Sequence, residues 1–280
     1  MPEPYKVVHL IHEKEPFLKV LGTEIRYTDG YRFLDRCGMF LNWLTKLGSE
    51  WVIPNTPTPQ GAHAFNLRTG AAVMLGSSSS SFSLDRSEDI EEIKPDEAAQ
   101  FAADAEIILD RVIREFEIQT FSRFGFQQTY WCFSDSIAET EAWIRGLGWM
   151  PKSDAKLYEA FGAEPFAASC AIMMTAEECR YRIAATGHER PVGVPVGPSQ
   201  QVNVLLSGAK QERRRVLAEI EKKRSRIKAA KYFASLDLDA FLLDPKDLSI
   251  SPFIKTHLAE FLPRLRQSIQ ATEQEVGNGN

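Results

Sequence analysis

A capped amphipathic helix followed at once by a long two-faced strand most constrains what this chain can fold into. Pro95 suits the first position of a helix, and the two acidic residues after it favour the positive end of the helix dipole. Apolar residues then recur at helical spacing, which predicts a helix that ends near Glu117. The stretch 121–134 follows with the alternation of a strand. This order predicts a mixture of helices and strands.

The two faces of this strand differ in chemistry. One face is apolar and carries Phe124, Phe126, Tyr130 and Cys132. The other face carries Arg123, Gln127, Thr129 and Trp131. Further strand and helix patterns occur without regular βαβ alternation, which favours an α+β fold with antiparallel sheets and helices packed on one face. A helix between strands, followed by a short helix capped by Ser136, is also compatible with two split-βαβ-like halves.

The length of 280 residues allows one or two domains. Hydrophobic residues make up 44% of the chain and charged residues 25%, which is typical of a globular protein and excludes wholesale disorder. We expect an N-terminal α+β half over residues 1–150 and a C-terminal α+β half over 151–280, or one continuous domain. The second half holds an inserted basic segment, residues 210–231. Pro263 is expected to kink or interrupt the last helix.

Charge is segregated along the chain. The basic segment holds ten basic and three acidic side chains, so its charge is +7 in a chain whose net charge is −5. Residues 85–117 instead carry 12 acidic and four basic side chains. As a helix, the basic segment would be about 33 Å long. Several roles stay open for it: contact with nucleic-acid phosphates, contact with an acidic protein or an anionic membrane surface, contact with residues 85–117 of the same chain or of a second copy, and simple solvation.

Cysteine spacing and the lack of long apolar runs bear on the compartment. The four cysteines show no CxxC spacing, so scattered thiols in a reducing compartment are expected: Cys37, Cys132, Cys170 and Cys179. No apolar run approaches the roughly 18 residues of a membrane span, and no secretory signal is visible at the N-terminus. We therefore expect a cytoplasmic protein without a membrane span.

Asp237 and Asp239 are the strongest candidates for metal chemistry. They lie two apart on the predicted strand 232–242, so both carboxylates face the same side. Together with Asp244 and Asp247, they would offer oxygen ligands for Mg²⁺, as a metal-dependent nuclease or phosphotransferase requires. The alternative interpretation is an acidic, solvated strand face that binds no metal.

Other motifs give little support for catalysis. His9 and His12 are three apart on a predicted strand and face opposite sides, which argues against a shared metal. His63, His188 and His257 are isolated in the sequence. The sequence contains no nucleophile elbow, no GxxxxGK[ST] phosphate loop and no GxGxxG turn after a strand. No cofactor is expected outside the Mg²⁺ alternative.

The order of these parts resembles a large, sporadically distributed family of uncharacterised bacterial proteins of about this length. The resemblance rests on an N-terminal strand (5–12), a hairpin ending in Phe82-Ser-Leu, the strand Arg123-Phe-Gly-Phe-Gln-Gln-Thr-Tyr, and Leu236-Asp-Leu-Asp-Ala-Phe before a helix with Thr256-His-Leu and Phe261. The family strand reads Arg-x-Gly-x-Arg-Tyr, and this chain departs from it at Gln127 and Gln128. The resemblance implies an accessory role, such as phage- or mobile-element-related biology, and brings no activity with it.

The sequence therefore predicts a non-catalytic binding or adaptor protein of a bacterial accessory system. It contacts an acidic partner or nucleic acid through the basic segment, with a protein partner or self-association preferred. The predicted contact residues are Arg213, Arg214, Arg215, Lys222, Lys223, Arg224 and Arg226. The alternative is an Mg²⁺-dependent nuclease or phosphotransferase that uses Asp237 and Asp239. A strand face with Arg123, Gln127 and Trp131 would also allow bases to stack if it is exposed, and the alternative is a face that a helix covers.

Overall fold

The computed structural model describes residues 16–48, 50–87, 92–147, 149, 160–161, 169–189 and 232–277. The strands in this part are β1 (Phe17–Tyr27), β2 (Trp51–Val52), β3 (Ala62–Asn66), β4 (Ala71–Leu75), β5 (Ser79–Asp85), β6 (Phe121–Ser134), β7 (Ser169–Ala176), β8 (Cys179–Glu189) and β9 (Tyr232–Leu243). The helices are α1 (Arg32–Leu47), α2 (Pro95–Glu115), α3 (Ile137–Gly146) and α4 (Ile250–Gly277). The predicted strand 5–12, with His9 and His12, and the basic segment lie outside the described residues.

The described strands form one antiparallel sheet in the order β2-β3-β4-β5-β1-β6-β9-β8-β7. Because β5 and β6 both pair antiparallel with β1, they are parallel to each other. Helix α2 connects them across β1, which makes a split-βαβ unit. The α+β fold class is confirmed. Strands from the two predicted halves join where β6 pairs with β9, and the division into halves stays a prediction.

The four helices pack on one face of this sheet and cover two hydrophobic clusters. The first cluster joins α1 and α2 to the strands from β1 to β6, and it includes Phe40 and Phe126. The second joins α3 to β6, β8 and β9 around Trp143. Helix α4 contributes Ile254 to the first cluster and Phe261 to the second. Each fully buried side chain of this size stabilises the fold by about 2 kcal/mol.

The other side of the sheet, which we call the far face, consists of the alternate residues that point away from these helices. The pairing registers place the following residues on it in the central strands: Glu24, Arg26, Arg123, Gln127, Thr129, Trp131, Arg180, Arg182, His188, Phe233, Ser235, Asp237, Asp239 and Phe241. The division of β6 into an apolar and a polar face is therefore as the alternation predicts.

Sequence signals close to the ends of helices and strands predict most of these ends correctly. Ser136 caps α3 by accepting a hydrogen bond from the backbone N–H of Glu139 at 3.1 Å. Helix α4 continues through Pro263 to Gly277, so the predicted interruption is wrong, while the alternative of a kink stays a prediction. Pro263 is exposed, whereas Phe261 and Leu265 on either side of it are buried against the sheet. Packing of these two side chains holds the helix together where one backbone hydrogen bond is missing.

Candidate functional site

Asp237 and Asp239 lie on the far face of β9, and both carboxylates have partners within the protein. The Thr129 hydroxyl donates to Oδ1 of Asp237 at 2.7 Å. Nη2 of Arg123 donates to both carboxylate oxygens of Asp239, at 3.0 and 2.8 Å. The two predicted metal ligands therefore share a face, as their spacing predicts, and each is held by a neighbour on β6.

Arg123 is the centre of an ion network that ties three strands together. Its Nη1 donates to Oε2 of Glu24 on β1 at 2.9 Å, while its Nη2 binds Asp239 on β9. The guanidinium carbon also lies 4.6 Å from the ring centroid of Phe241, a cation–π distance. The Arg123 side chain is only 17% exposed, so water screens these contacts less than it screens surface ion pairs.

The backbone beneath Arg123 makes this arrangement possible. Gly125 lies on the same face of β6, two residues along the strand. A Cβ at this position would lie 3.0 Å from three atoms of the Arg123 guanidinium. The absence of a side chain therefore lets the guanidinium extend over the strand towards Asp239.

Three further arginines surround this network. Arg26 pairs with Arg123 across β1 and β6, Arg182 lies opposite Asp239, and Arg180 lies one row further along β8. Arg180 and Arg182 are exposed. Burial raises the pKa of the Asp239 carboxyl, and the charges of Arg123 and Arg182 oppose this rise. This end of the far face thus carries four arginines and two neighbouring carboxylates.

The opposite end of the same face is aromatic. The rings of Trp131 and Phe233 stack at 4.2 Å, and the His188 ring also stacks on Phe233, at 4.8 Å. Trp131 is only 7% exposed. Of the two sequence-based alternatives, an exposed face on which bases stack and a covered face, the burial of Trp131 agrees with the second. Its indole is engaged in the fold and does not offer a free platform for bases.

We expect the stability of the protein to fall as the pH drops below the ordinary pKa of histidine, about 6.5. Burial lowers the pKa of His188, although Asp237 opposes this shift, and Nε2 of His188 lies 2.9 Å from the Ser235 hydroxyl oxygen. The unfolded chain then binds a proton that the folded protein binds less readily, so acid favours unfolding. Urea midpoints at about pH 5.5 and about pH 7.5 measure this loss. Replacement of His188 by Gln should reduce the difference, and an unchanged difference would contradict the assignment.

Two histidines that are isolated in the sequence have side-chain partners in the fold. His188 meets Ser235 on β9, and Nε2 of His257 lies 3.8 Å from Sγ of Cys179. All four cysteines are free thiols, of which Cys37 and Cys132 are buried while Cys170 and Cys179 are partly exposed. The sequence shows no nucleophile context for Cys179, and the structure supplies a neighbouring imidazole from α4.

The basic segment belongs to the connection between β8 and β9, and the strand residues at the two ends of this connection are paired. Glu189, the last residue of β8, pairs with Tyr232, the first residue of β9. The 42 residues 190–231 therefore connect two neighbouring antiparallel strands that are paired up to their ends. The seven predicted contact residues belong to this connection and lie outside the described residues.

Neither a metal cluster nor a membrane helix occurs within the described ranges. No group of three or more His, Cys, Asp or Glu side chains there is arranged to hold a metal ion. Among the described helices, none combines the length and the apolar character needed to cross a membrane.

No known protein-family model matches the chain, and no curated protein matches it. The family resemblance therefore stays a prediction.

Proposed function

We propose that this protein is a non-catalytic binding or adaptor protein of a bacterial accessory system, which contacts an acidic partner protein through the basic segment. The observation that carries this proposal is the position of that segment. It is part of a 42-residue connection between strands whose last residues, Glu189 and Tyr232, are already paired. A charge of +7 over residues 210–231 gives the connection a chemistry that differs from the rest of the chain.

The fold itself does not require such a connection. Neighbouring antiparallel strands are usually joined by about two to five residues, so the 42 residues between β8 and β9 far exceed what their pairing needs. The entropic cost of a longer loop grows slowly, by about 0.6 kcal/mol per doubling of length, so the sheet tolerates the insertion. The length and the charge of the connection together favour a role outside the fold.

A protein partner fits the charge distribution better than nucleic acid. The chain outside the basic segment has a net charge of −12, because the whole chain carries −5 and the segment +7. An extended polyanion such as nucleic acid would be repelled by the negative charge of the chain outside the segment. A protein can instead present one local acidic patch to the segment alone. Residues 85–117, which include α2, offer such a patch on a second copy of this chain.

The Mg²⁺-dependent alternative at Asp237 and Asp239 stays a prediction and is less favoured. Asp239 is engaged by the Arg123 guanidinium and Asp237 by the Thr129 hydroxyl. A cation at this position would have to compete with a positive side chain that already binds Asp239 through both oxygens. A binding function requires no such rearrangement.

Charge reversal in the basic segment tests the proposal. We expect Arg213→Glu, Arg214→Glu and Arg215→Glu together to weaken binding to poly-L-glutamate, or salt-sensitive self-association, by about tenfold or more, since each exposed ion pair contributes up to about 1 kcal/mol. The melting temperature should stay unchanged. Fluorescence anisotropy and sedimentation velocity at about 50 mM and about 300 mM salt measure both effects.

The control variant reverses three exposed lysines elsewhere, Lys46→Glu, Lys246→Glu and Lys255→Glu, with the same change in net charge. It should bind as the unmodified protein does. An equal loss of binding in both variants would show that only the net charge of the protein matters and would overturn the proposal. Steeply salt-dependent binding of duplex DNA or RNA, without binding of poly-L-glutamate or self-association, would assign the segment to nucleic acid instead. A large fall in melting temperature in the segment variant would make the segment structural.

A further inference from the structure

A thiol and an imidazole meet at the end of the sheet where the β7–β8 hairpin turns. Cys179 is the first residue of β8, directly after the turn formed by Glu177 and Glu178. His257 belongs to α4, which crosses this end of the sheet. Sγ of Cys179 and Nε2 of His257 lie 3.8 Å apart, a hydrogen-bonding distance for sulfur. Both residues are partly exposed.

The hydrogen bonds of His257 define which of its nitrogens accepts a proton. Nδ1 lies 2.8 Å from the backbone oxygen of Phe253, and a carbonyl oxygen only accepts hydrogen bonds. The neutral ring therefore carries its proton on Nδ1, and the lone pair of Nε2 faces the Cys179 thiol. The Gln128 side chain donates to the backbone oxygen of His257 at 3.0 Å, and the ring of Phe253 lies 4.2 Å from the imidazole. These contacts fix the position of the ring.

This arrangement contains a nucleophile, a base and a group that orients the base, which is the general pattern of an activated nucleophile. We propose that Cys179 is a nucleophilic thiol with His257 as its general base, and that it takes up conjugated carbonyl compounds by covalent addition. The site is a stoichiometric modification site and does not depend on the binding function proposed above.

The addition balances without a further reactant. The Cys179 sulfur forms a bond to the β-carbon of the conjugated compound while the thiol proton moves to Nε2 of His257. The electron pair of the carbon–carbon double bond moves to the α-carbon, and the imidazolium returns the proton there. The product is a thioether, and the histidine is neutral again at the end.

The surroundings of the pair favour its neutral state before attack. Burial raises the pKa of the Cys179 thiol, with Asp239 acting in the same direction and the Tyr181 hydroxyl against it. Burial lowers the pKa of His257, Glu260 opposes this effect, and Arg264 adds to it. The pair is therefore at rest as thiol and neutral imidazole, and proton transfer accompanies attack.

N-ethylmaleimide, a conjugated carbonyl compound, tests the proposal on the full chain. Peptide mass spectrometry follows each cysteine separately, so Cys170, the other partly exposed thiol, is the internal control. We expect Cys179 to react about tenfold faster than Cys170 at pH 7. His257→Gln should slow the reaction at Cys179 by about the same factor and leave Cys170 unaffected. Equal rates at the two thiols of the unmodified protein would overturn the proposal.

The same measurement reports on folding and on the role of the base. Cys37 and Cys132 are buried, so their labelling in the His257 variant would reveal unfolding. If the His257 variant unfolds, the pH dependence of the labelling rates in the unmodified protein tests the proposal instead. General-base assistance by a histidine predicts that the Cys179 rate levels off above the imidazole pKa, while the Cys170 rate keeps rising as its thiolate forms. Parallel pH profiles for the two thiols would contradict the proposal.

Discussion

Replacement of Arg123 by Met lowers the free energy of unfolding by about 2 kcal/mol, because two partly buried carboxylates lose their shared partner. Glu24 keeps a contact with Arg26 at 2.8 Å, and Asp239 keeps the nearby charge of Arg182, so the loss stays below that of a fully buried pair. Urea denaturation measures the change. A loss within about 0.5 kcal/mol would mean that solvent already screens the network.

A double-mutant cycle separates the ion pair from other effects. Arg123→Met combined with Asp239→Leu should cost less than the sum of the two single replacements, with a coupling of about 1 to 2 kcal/mol. Gly125→Ala supplies an independent check, since the new Cβ would lie 3.0 Å from the guanidinium and displace it. If Gly125→Ala costs nothing, the guanidinium has another position with equal free energy.

Replacement of Phe101 by Ala lowers the free energy of unfolding by about 4 kcal/mol. This side chain of α2 is 2% exposed, and its ring stacks on Phe82 at 5.0 Å and approaches Phe126 at 6.3 Å. It thus contacts both strands of the split-βαβ unit, and its removal leaves a cavity where the helix crosses β1. The melting temperature should fall by about 10 °C.

Ile107→Ala on the same helix is the matched control. Ile107 is 53% exposed, so its truncation should change the free energy of unfolding by less than about 0.5 kcal/mol. Alanine favours a helix more than either original residue does, so a loss at Ile107 as large as the loss at Phe101 would contradict the assignment of the cost to packing against the sheet.

Local pattern predicts the elements of this fold well, because the determining interactions are close in sequence. The bounds of β6 and the assignment of Phe124 and Arg123 to opposite faces follow from alternation alone. Pro263 does not end the helix, because Phe261 and Leu265 on either side of it pack against the sheet. This packing depends on residues distant in the sequence, so the residues next to Pro263 do not predict it. Strand order likewise depends on pairings between distant segments.

The candidate sites are harder to predict for the same reason. Arg123 stands out in the sequence, but its partners Glu24 and Asp239 lie 99 and 116 positions away. Cys179 and His257 are 78 positions apart, and no motif in the sequence links them. The basic segment shows the opposite case, because its charge is visible in the sequence while its position between paired strand ends is not.

The junction between β6 and β9 has a consequence for synthesis of the chain. Twelve consecutive residue pairs join the two strands, yet 97 residues separate the end of β6 from the start of β9. Until β9 has been made, one side of β6 is an exposed edge whose free backbone groups can template aggregation. A fragment of residues 1–150 keeps that edge permanently. A growing chain therefore depends on protection of β6 until residue 243 has left the ribosome.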